Sequence, residues 1–261
     1  MYQGVNTVES GSLSLKNAEN SPICDAHAHI GDEAETAARH AQRVYTALCG
    51  TDPENAKAVE AHCLKEPLFA AHYGLHPWKT ARYSVREMEP WLAKCRVIGE
   101  IGLDSVWCDV SAADQRPAFI RQLDIAREMG KRVLLHTKGC EEEIARLVSE
   151  RHIPCVVHWY SCMEHLERYL DLDSWFTVGP GVFNDPAVRE VARRAPEGRV
   201  LVETDGLSAV AWALEREVGV GELPSILEGM LREIAALRGE TVEQTRLQAA
   251  EAYAEVYGVA L

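Results

Sequence analysis

Eight short apolar runs, separated by stretches of helical character, constrain this 261-residue chain more than any other feature. The runs are Ile23–Ile30, Arg43–Cys49, Leu68–Leu75, Arg96–Leu103, Arg132–His136, Pro154–His158, Trp175–Val178 and Val200–Glu203. Several intervening segments carry their own boundaries. Asp52-Pro53 reads as an N-cap with proline at the first helical position, opening a helix over Glu54–Lys65. Ala112–Met129 sets Phe119, Leu123 and Ala126 on one face before Gly130, a residue suited to a helix stop. A similar pattern covers Glu141–Glu150, and Thr241 with Gln244 makes a capping box for a last helix reaching about Tyr257. Strict strand–helix alternation at this length predicts an α/β fold, a (β/α)8 TIM-like barrel, over an open doubly wound sheet. The first strand–helix unit is short, which trims one wall of any pocket built on it.

Polar residues close these runs. The first reads Asp25-Ala-His27-Ala-His29, and alternation along a strand turns all three polar side chains to one face. Two imidazoles about 7 Å apart along a strand can close on one metal ion, with the carboxylate free to orient one of them from behind. Later runs end in Gly74-Leu75-His76-Pro77, Gly99-Glu100-Ile101-Gly102-Leu103-Asp104, Leu135-His136, Val157-His158 and Glu203-Thr204-Asp205. In a barrel all strand C-termini open on one face, so these groups converge there. Each strand-end histidine taken alone is an ordinary rim residue. Glu100 inside an apolar run is different, because a buried unpaired carboxylate costs several kcal/mol that a cation removes. His27, His29, Glu100, His136, His158 and Asp205 together form a nitrogen-and-carboxylate set suited to zinc, manganese or similar ions. His40, His62, His72, His152 and His165 have no such placement and read as surface or structural.

Composition narrows the partners. The net charge of −13 excludes a globally basic grip on nucleic acid, so any such substrate must be held locally. No apolar stretch approaches the roughly 20 residues of a membrane span. The eight cysteines include no CxxC pair, which argues for reduced thiols and a cytoplasmic protein, with Cys24, Cys49 and Cys155 as small core residues. Residues 1–21 are polar, lack a secretory layout and are expected to form a flexible lead, with a short ordered piece around Leu13–Leu15; residues 22–261 form the barrel domain.

From residue 23 to 258 the chain resembles the TatD-family metal-dependent hydrolases of the amidohydrolase superfamily. The resemblance rests on Asp25-Ala-His27-Ala-His29, Cys49-Gly-Thr-Asp52, Gly74-Leu-His76-Pro77, Gly99-Glu100-Ile-Gly-Leu-Asp104, Gln115, Phe119, Gln122-Leu123, His136, His158 and Glu203-Thr204-Asp205. It implies a distorted TIM barrel and up to two divalent ions, zinc, manganese or magnesium. By the same resemblance His27, His29 and Asp205 hold one ion, Glu100 bridges to a second, and His136 and His158 complete that one. Glu100 stands where related amidohydrolases use a carboxylated lysine, which argues against a urease- or phosphotriesterase-like protein.

The chain departs from the family at the pocket rim. Thr137-Lys138 replaces the usual Ser-Arg, Trp159-Tyr160-Ser161-Cys162 replaces Cys-Phe-Ser-Gly, and Gly206 follows Asp205. The reaction expected is metal-assisted hydrolysis, a metal-bound hydroxide attacking an ester, foremost a phosphodiester at a nucleic-acid 3′ end. Glu100 and Asp205 are the catalytic candidates, Asp205 orienting the attacking water or taking its proton. His76 and Lys138 are substrate-binding candidates, and Trp78, Trp159 and Tyr160 could stack a ring or simply pack the rim. Small-molecule esters, amide or acyl-ester hydrolysis on the same metals, and a metal-binding barrel without turnover are the alternatives. A mononuclear deaminase is disfavoured because no glutamate occupies the required acid/base place.

Overall fold

The structure, a computed structural model, describes residues 21–29 and 31–261. The polar lead up to residue 20, the piece expected at Leu13–Leu15 and Ile30 lie outside the described residues. Eight parallel strands pair in sequence order. They are β1 (Cys24–His29), β2 (Tyr45–Gly50), β3 (Phe69–Tyr73), β4 (Val97–Asp104), β5 (Arg132–Lys138), β6 (Cys155–Val157), β7 (Ser174–Val178) and β8 (Val200–Val202). All eight expected strands are present. Between them run α1 (Glu33–Ala41), α2 (Pro53–Cys63), α3 (Val85–Leu92), α4 (Ala112–Met129), α5 (Glu141–Ser149), α6 (Leu166–Leu170) and α7 (Pro186–Arg194). After β8 come α8 (Leu207–Ala213), α9 (Leu223–Arg238) and α10 (Val242–Tyr257). The result is a nearly closed (β/α)8 barrel.

Boundary chemistry behaves as the sequence predicts. The Asp52 side chain accepts the Glu54 and Asn55 amide protons, and α2 starts one residue earlier than expected, on Pro53. Gly130 takes the left-handed conformation that ends α4, and Thr241 with Gln244 forms both halves of its capping box. Other limits move for local reasons. The second strand begins at Tyr45 because Arg43 sits in left-handed backbone (φ 54°) closing α1. The third ends at Tyr73, since the Leu75 amide leaves the ladder to donate to Gln122 Oε1 at 2.7 Å.

Inside the barrel, Ala47, Val97, Leu134, Val156, Trp175 and Leu201 form one apolar layer, which α10 covers with Ala250, Tyr253, Val256 and Tyr257. A larger cluster, including Leu48, Val133, Leu135, Val157, Phe176 and Val202, packs the strands' outer faces against the helices. Each such side chain contributes roughly 1.5–3 kcal/mol by leaving water. The seam between β1 and β8 is polar instead. Asp25 accepts from Thr204 N (2.9 Å), Thr204 Oγ1 (2.6 Å) and Arg39 Nη1 (2.6 Å), while Arg39 also donates to Glu35. All of these groups are buried. Asp25 therefore ties the two end strands together, and the hydrogen bond to His27 comes from His72 instead, contrary to the role expected from its spacing.

Candidate metal centre

Each proposed ligand reaches the barrel mouth from a strand end, and the backbone explains how. His27 and His29 alternate onto one face of β1. β4 approaches β5 closely around Glu100 because a Cβ on Gly102 would fall 1.9 Å from the His136 carbonyl oxygen, a place only glycine can take. His136 lies on β5, and His158 follows β6 with its amide still bonded to Leu135 O. Past β8, Asp205 takes left-handed backbone (φ 58°), which asparagine and aspartate tolerate best, and its amide donates to His27 O.

The six side chains converge. His27 Nε2 and His29 Nε2 both lie 3.2 Å from Asp205 Oδ1 and 3.5 Å from Glu100 Oε2. Glu100 Oε1 faces the other way, 2.7 Å from His136 Nδ1, 3.4 Å from His76 Nε2 and 3.7 Å from His158 Nε2. His158 Nε2 also stands 3.9 Å from Asp205 Oδ1. The two oxygens of one buried carboxylate thus address two adjoining groups of donors.

Three atoms here, His27 Nε2, Glu100 Oε2 and Asp205 Oδ1, are buried without a hydrogen-bond partner. Natural proteins satisfy nearly all such atoms, and these three face one another. That pattern fits a cation. Among the described residues three donor sets have atoms within 4.8 Å of each other: His27, His29, Cys49 and Glu100; His27, His158 and Asp205; His76, Glu100 and His136. Nitrogen and carboxylate donors in this mixture suit zinc or manganese.

Electrostatics favour charged carboxylates. Burial alone would raise the Glu100 and Asp205 carboxyls, but the surrounding imidazoles outweigh it and hold both well below the carboxylate range. Burial alone would likewise strip the proton from His29 and His158. Asp205 beside the first and Glu203 beside the second reverse this, and His158 is pushed up to about 10. His76, with burial dominant, is pushed down to about 4. A cation entering this cluster displaces the imidazole protons.

Behind the converging set stand residues the sequence reading did not single out. His72, read there as surface or structural, is fully buried, with Nε2 2.9 Å from His27 Nδ1. Glu203 Oε2 accepts from His158 Nδ1 at 2.9 Å, and Asp104 Oδ2 lies 2.9 Å from His136 Nε2. Such partners fix ring orientation and tautomer. Glu203 and Asp104 were visible in the quoted strand ends, whereas His72 becomes legible only as the inward residue of β3. Cys49, expected to be mere core, is buried beside His27 and His29.

The cluster floors a cavity of about 1020 Å³ lined also by Lys138, Trp78, Trp107, Trp159 and Trp212. Lys138 Nζ donates to Ser161 Oγ (3.1 Å) and sits 4.1 Å above the Trp107 ring. Trp78 and Trp159 reach the cavity as expected. Tyr160 does not, for it is buried with its hydroxyl bonded to Glu164 O.

A family model described as TatD related DNase matches residues 24–258. The chain is 30% identical over 203 residues to the Escherichia coli K12 protein named as an uncharacterized metal-dependent hydrolase, YjjV, covering 69% of this chain and 78% of that one. A crystal structure of YjjV superposes with a TM-score of 0.78 at 23% identity, over 91% of this chain and 98% of its own. A Klebsiella pneumoniae protein named 3′-5′ ssDNA/RNA exonuclease TatD is 25% identical, covering 87% of this chain and 92% of that one. The human 3′-5′ RNA nuclease TATDN2 is 25% identical over 75% of this chain, which spans 28% of the human protein's length.

Proposed function

The chain belongs to the TatD related DNase family, whose E. coli relatives are named metal-dependent hydrolases, and from that premise we propose that it hydrolyses phosphodiester bonds at an unpaired nucleic-acid 3′ end. The observation that carries this reading is the meeting of three unpartnered buried atoms, His27 Nε2, Glu100 Oε2 and Asp205 Oδ1, on the floor of an open cavity. His27, His29 and Asp205 would hold one divalent ion, zinc, manganese or magnesium, and His136 and His158 a second, with Glu100 between them. Bound there, divalent ions supply Lewis-acid polarisation of the ester oxygens and acidify water at neutral pH.

The residues do the rest. Asp205 orients the attacking water and accepts its proton as the new bond to phosphorus forms. The bond from phosphorus to the leaving oxygen then breaks, and that oxygen takes up a proton. His158, steered by Glu203, and His27, steered by His72, keep the donor set in register. Lys138 and His76 hold the substrate's anionic oxygens; a lysine does so as a point charge without the bidentate fork of arginine. Eight free thiols suit a reducing, cytoplasmic setting, and no described helix is long and apolar enough to cross a membrane.

The test is a substrate panel of single-stranded DNA and RNA, bis-nitrophenyl phosphate and acyl esters, each with zinc, manganese or magnesium. Hydrolysis of the diesters and loss of it in Glu100→Gln and Asp205→Asn is the expected result. Turnover of acyl substrates alone would replace the phosphodiesterase with an acyl hydrolase. Unchanged activity in both variants would end the enzyme reading.

A further inference from the structure

Four of the chain's six tryptophans, Trp78, Trp107, Trp159 and Trp212, line the one cavity above the metal-type cluster. Three of them are substantially exposed there, Trp78 at 45%, Trp107 at 51% and Trp212 at 67%. Leaving such large apolar faces in water is unfavourable, so their grouping at one mouth marks a binding surface. Trp212 touches Trp107 and Trp159 edge-to-face, with ring centroids 6.1 and 6.4 Å apart, making one continuous aromatic wall.

The wall is held in place from behind. Buried Asp104 accepts from Trp78 Nε1 at 2.7 Å through one oxygen and from the Trp107 amide at 2.8 Å through the other. Trp159 takes left-handed backbone (φ 33°), unusual for a tryptophan, and its ring lies across Gly179, where a Cβ would fall 2.5 Å from the ring. A rim that only packed against itself would have no need of either device.

Charge around the wall is sparse. Lys138 and Lys79 are the lysines lining the cavity, and no arginine does. Lys79 Nζ lies 3.6 Å from Asp52, and Asp185 and Glu215 line the same mouth. Lys138 alone, stacked on Trp107, is free to meet a phosphate. The chain as a whole is acidic, with a net charge of −13.

Resting on the phosphodiesterase reading, we propose that this wall and Lys138 form a subsite that grips only the last few unpaired nucleotides, by stacking their bases, with a single phosphate contact. Stacking accepts any base, because each presents a π face, and requires bases free of a duplex. Affinity is then set by the end of the strand and not by its length.

Calorimetric titration of the metal-loaded protein with phosphorothioate oligothymidylates of two, four and twenty residues tests this. The four- and twenty-residue strands should bind within about threefold of each other, and log affinity should fall against log salt with a slope of about −0.7, as a single phosphate contact dictates. Trp107→Ala and Trp212→Ala should each weaken binding by about five- to hundredfold, with Trp107→Phe restoring most of it, and the duplexed probe should bind at least about tenfold more weakly. Both tryptophans are exposed, and circular dichroism will report folding of the variants. A salt slope near −3 or steeper, no binding, or alanine variants that bind like the wild type would overturn the subsite. Wild-type binding of this kind without diester turnover would overturn the phosphodiesterase and keep the subsite. Turnover of oligonucleotides with unaffected binding in the alanine variants would do the reverse.

Discussion

Two layers of the barrel interior lie one strand repeat apart and have opposite chemistry. On β5, Leu134 gives way to His136; past β6, Val156 gives way to His158; past β8, Leu201 gives way to Glu203; and on β3, Ala70 gives way to His72. A step of two residues keeps a side chain on the same face, so each of these four strands carries an apolar residue below and a polar one above. The lower layer is sealed by α10 and has its apolar groups satisfied by contact alone. The upper layer contains the unpartnered His27 Nε2, Glu100 Oε2 and Asp205 Oδ1, which face one another, and the left-handed residues Trp159 and Asp205, which cost of order 1–3 kcal/mol each. Apolar packing is thus concentrated below and the candidate metal ligands above, on the same strands.

Substitutions in the two layers should separate accordingly. The largest effect expected is from Asp205→Asn, which should cut diester hydrolysis per folded molecule by about 10²- to 10⁴-fold. A rate within a few-fold of wild type would remove Asp205 from the chemistry. Arg39→Met leaves Asp25 buried without its counter-charge at the β1–β8 seam, held by Thr204 alone, and should cost about 3–5 kcal/mol in urea unfolding. Metal retention on dialysis should fall with it, because the seam positions His27 and Asp205. In the lower layer, Leu134→Ala should cost about 2–5 kcal/mol while the rate per folded molecule stays close to wild type. Were its rate to drop as far as that of Asp205→Asn, the division between layers would not hold.

Proton linkage gives a smaller effect. Against its burial, the Glu203 and Glu100 carboxylates push His158 up to about 10 in the folded chain, from about 6.5 in an unfolded one. Its contribution to metal-free stability is therefore complete below pH ~6.5 and disappears as the pH rises toward that folded value. The Tm of EDTA-treated protein should decline between pH 7 and 10, while ions competing for the same nitrogens load better across that interval. A metal-free Tm that rises over this range would contradict the His158–Glu203 pairing. Least of all should Arg146→Ala matter. Its exposed pair with Glu150 belongs to neither layer, and about 0.3–0.5 kcal/mol is the most a helical i,i+4 pair supplies.

The upper layer was legible where the polar residue ends an apolar run, as at His136, His158 and Glu100, since burial of such groups needs a reason. Helix limits were legible where one side chain decides them, as with Asp52, Gly130 and Thr241. What stayed hidden depends on partners far along the chain. Asp25 looks in sequence like a support for His27, yet Arg39 and Thr204 claim it, and His72 provides the support from a neighbouring strand. Trp107 and Trp212 sit in loop and helix segments with no strand pattern to mark them, and only the closed barrel brings them to one wall.

The clasp between Asp25 and Thr204 joins residues 179 apart. Synthesis delivers the two imidazoles of β1 first and the carboxylate of Asp205 near the finish, so the set that joins His27, His158 and Asp205 is complete only after β8 has left the ribosome. A product cut short before Asp205 would carry His27 and His158 without their closing carboxylate. The half of the centre that Asp205 closes comes into being only with the finished barrel.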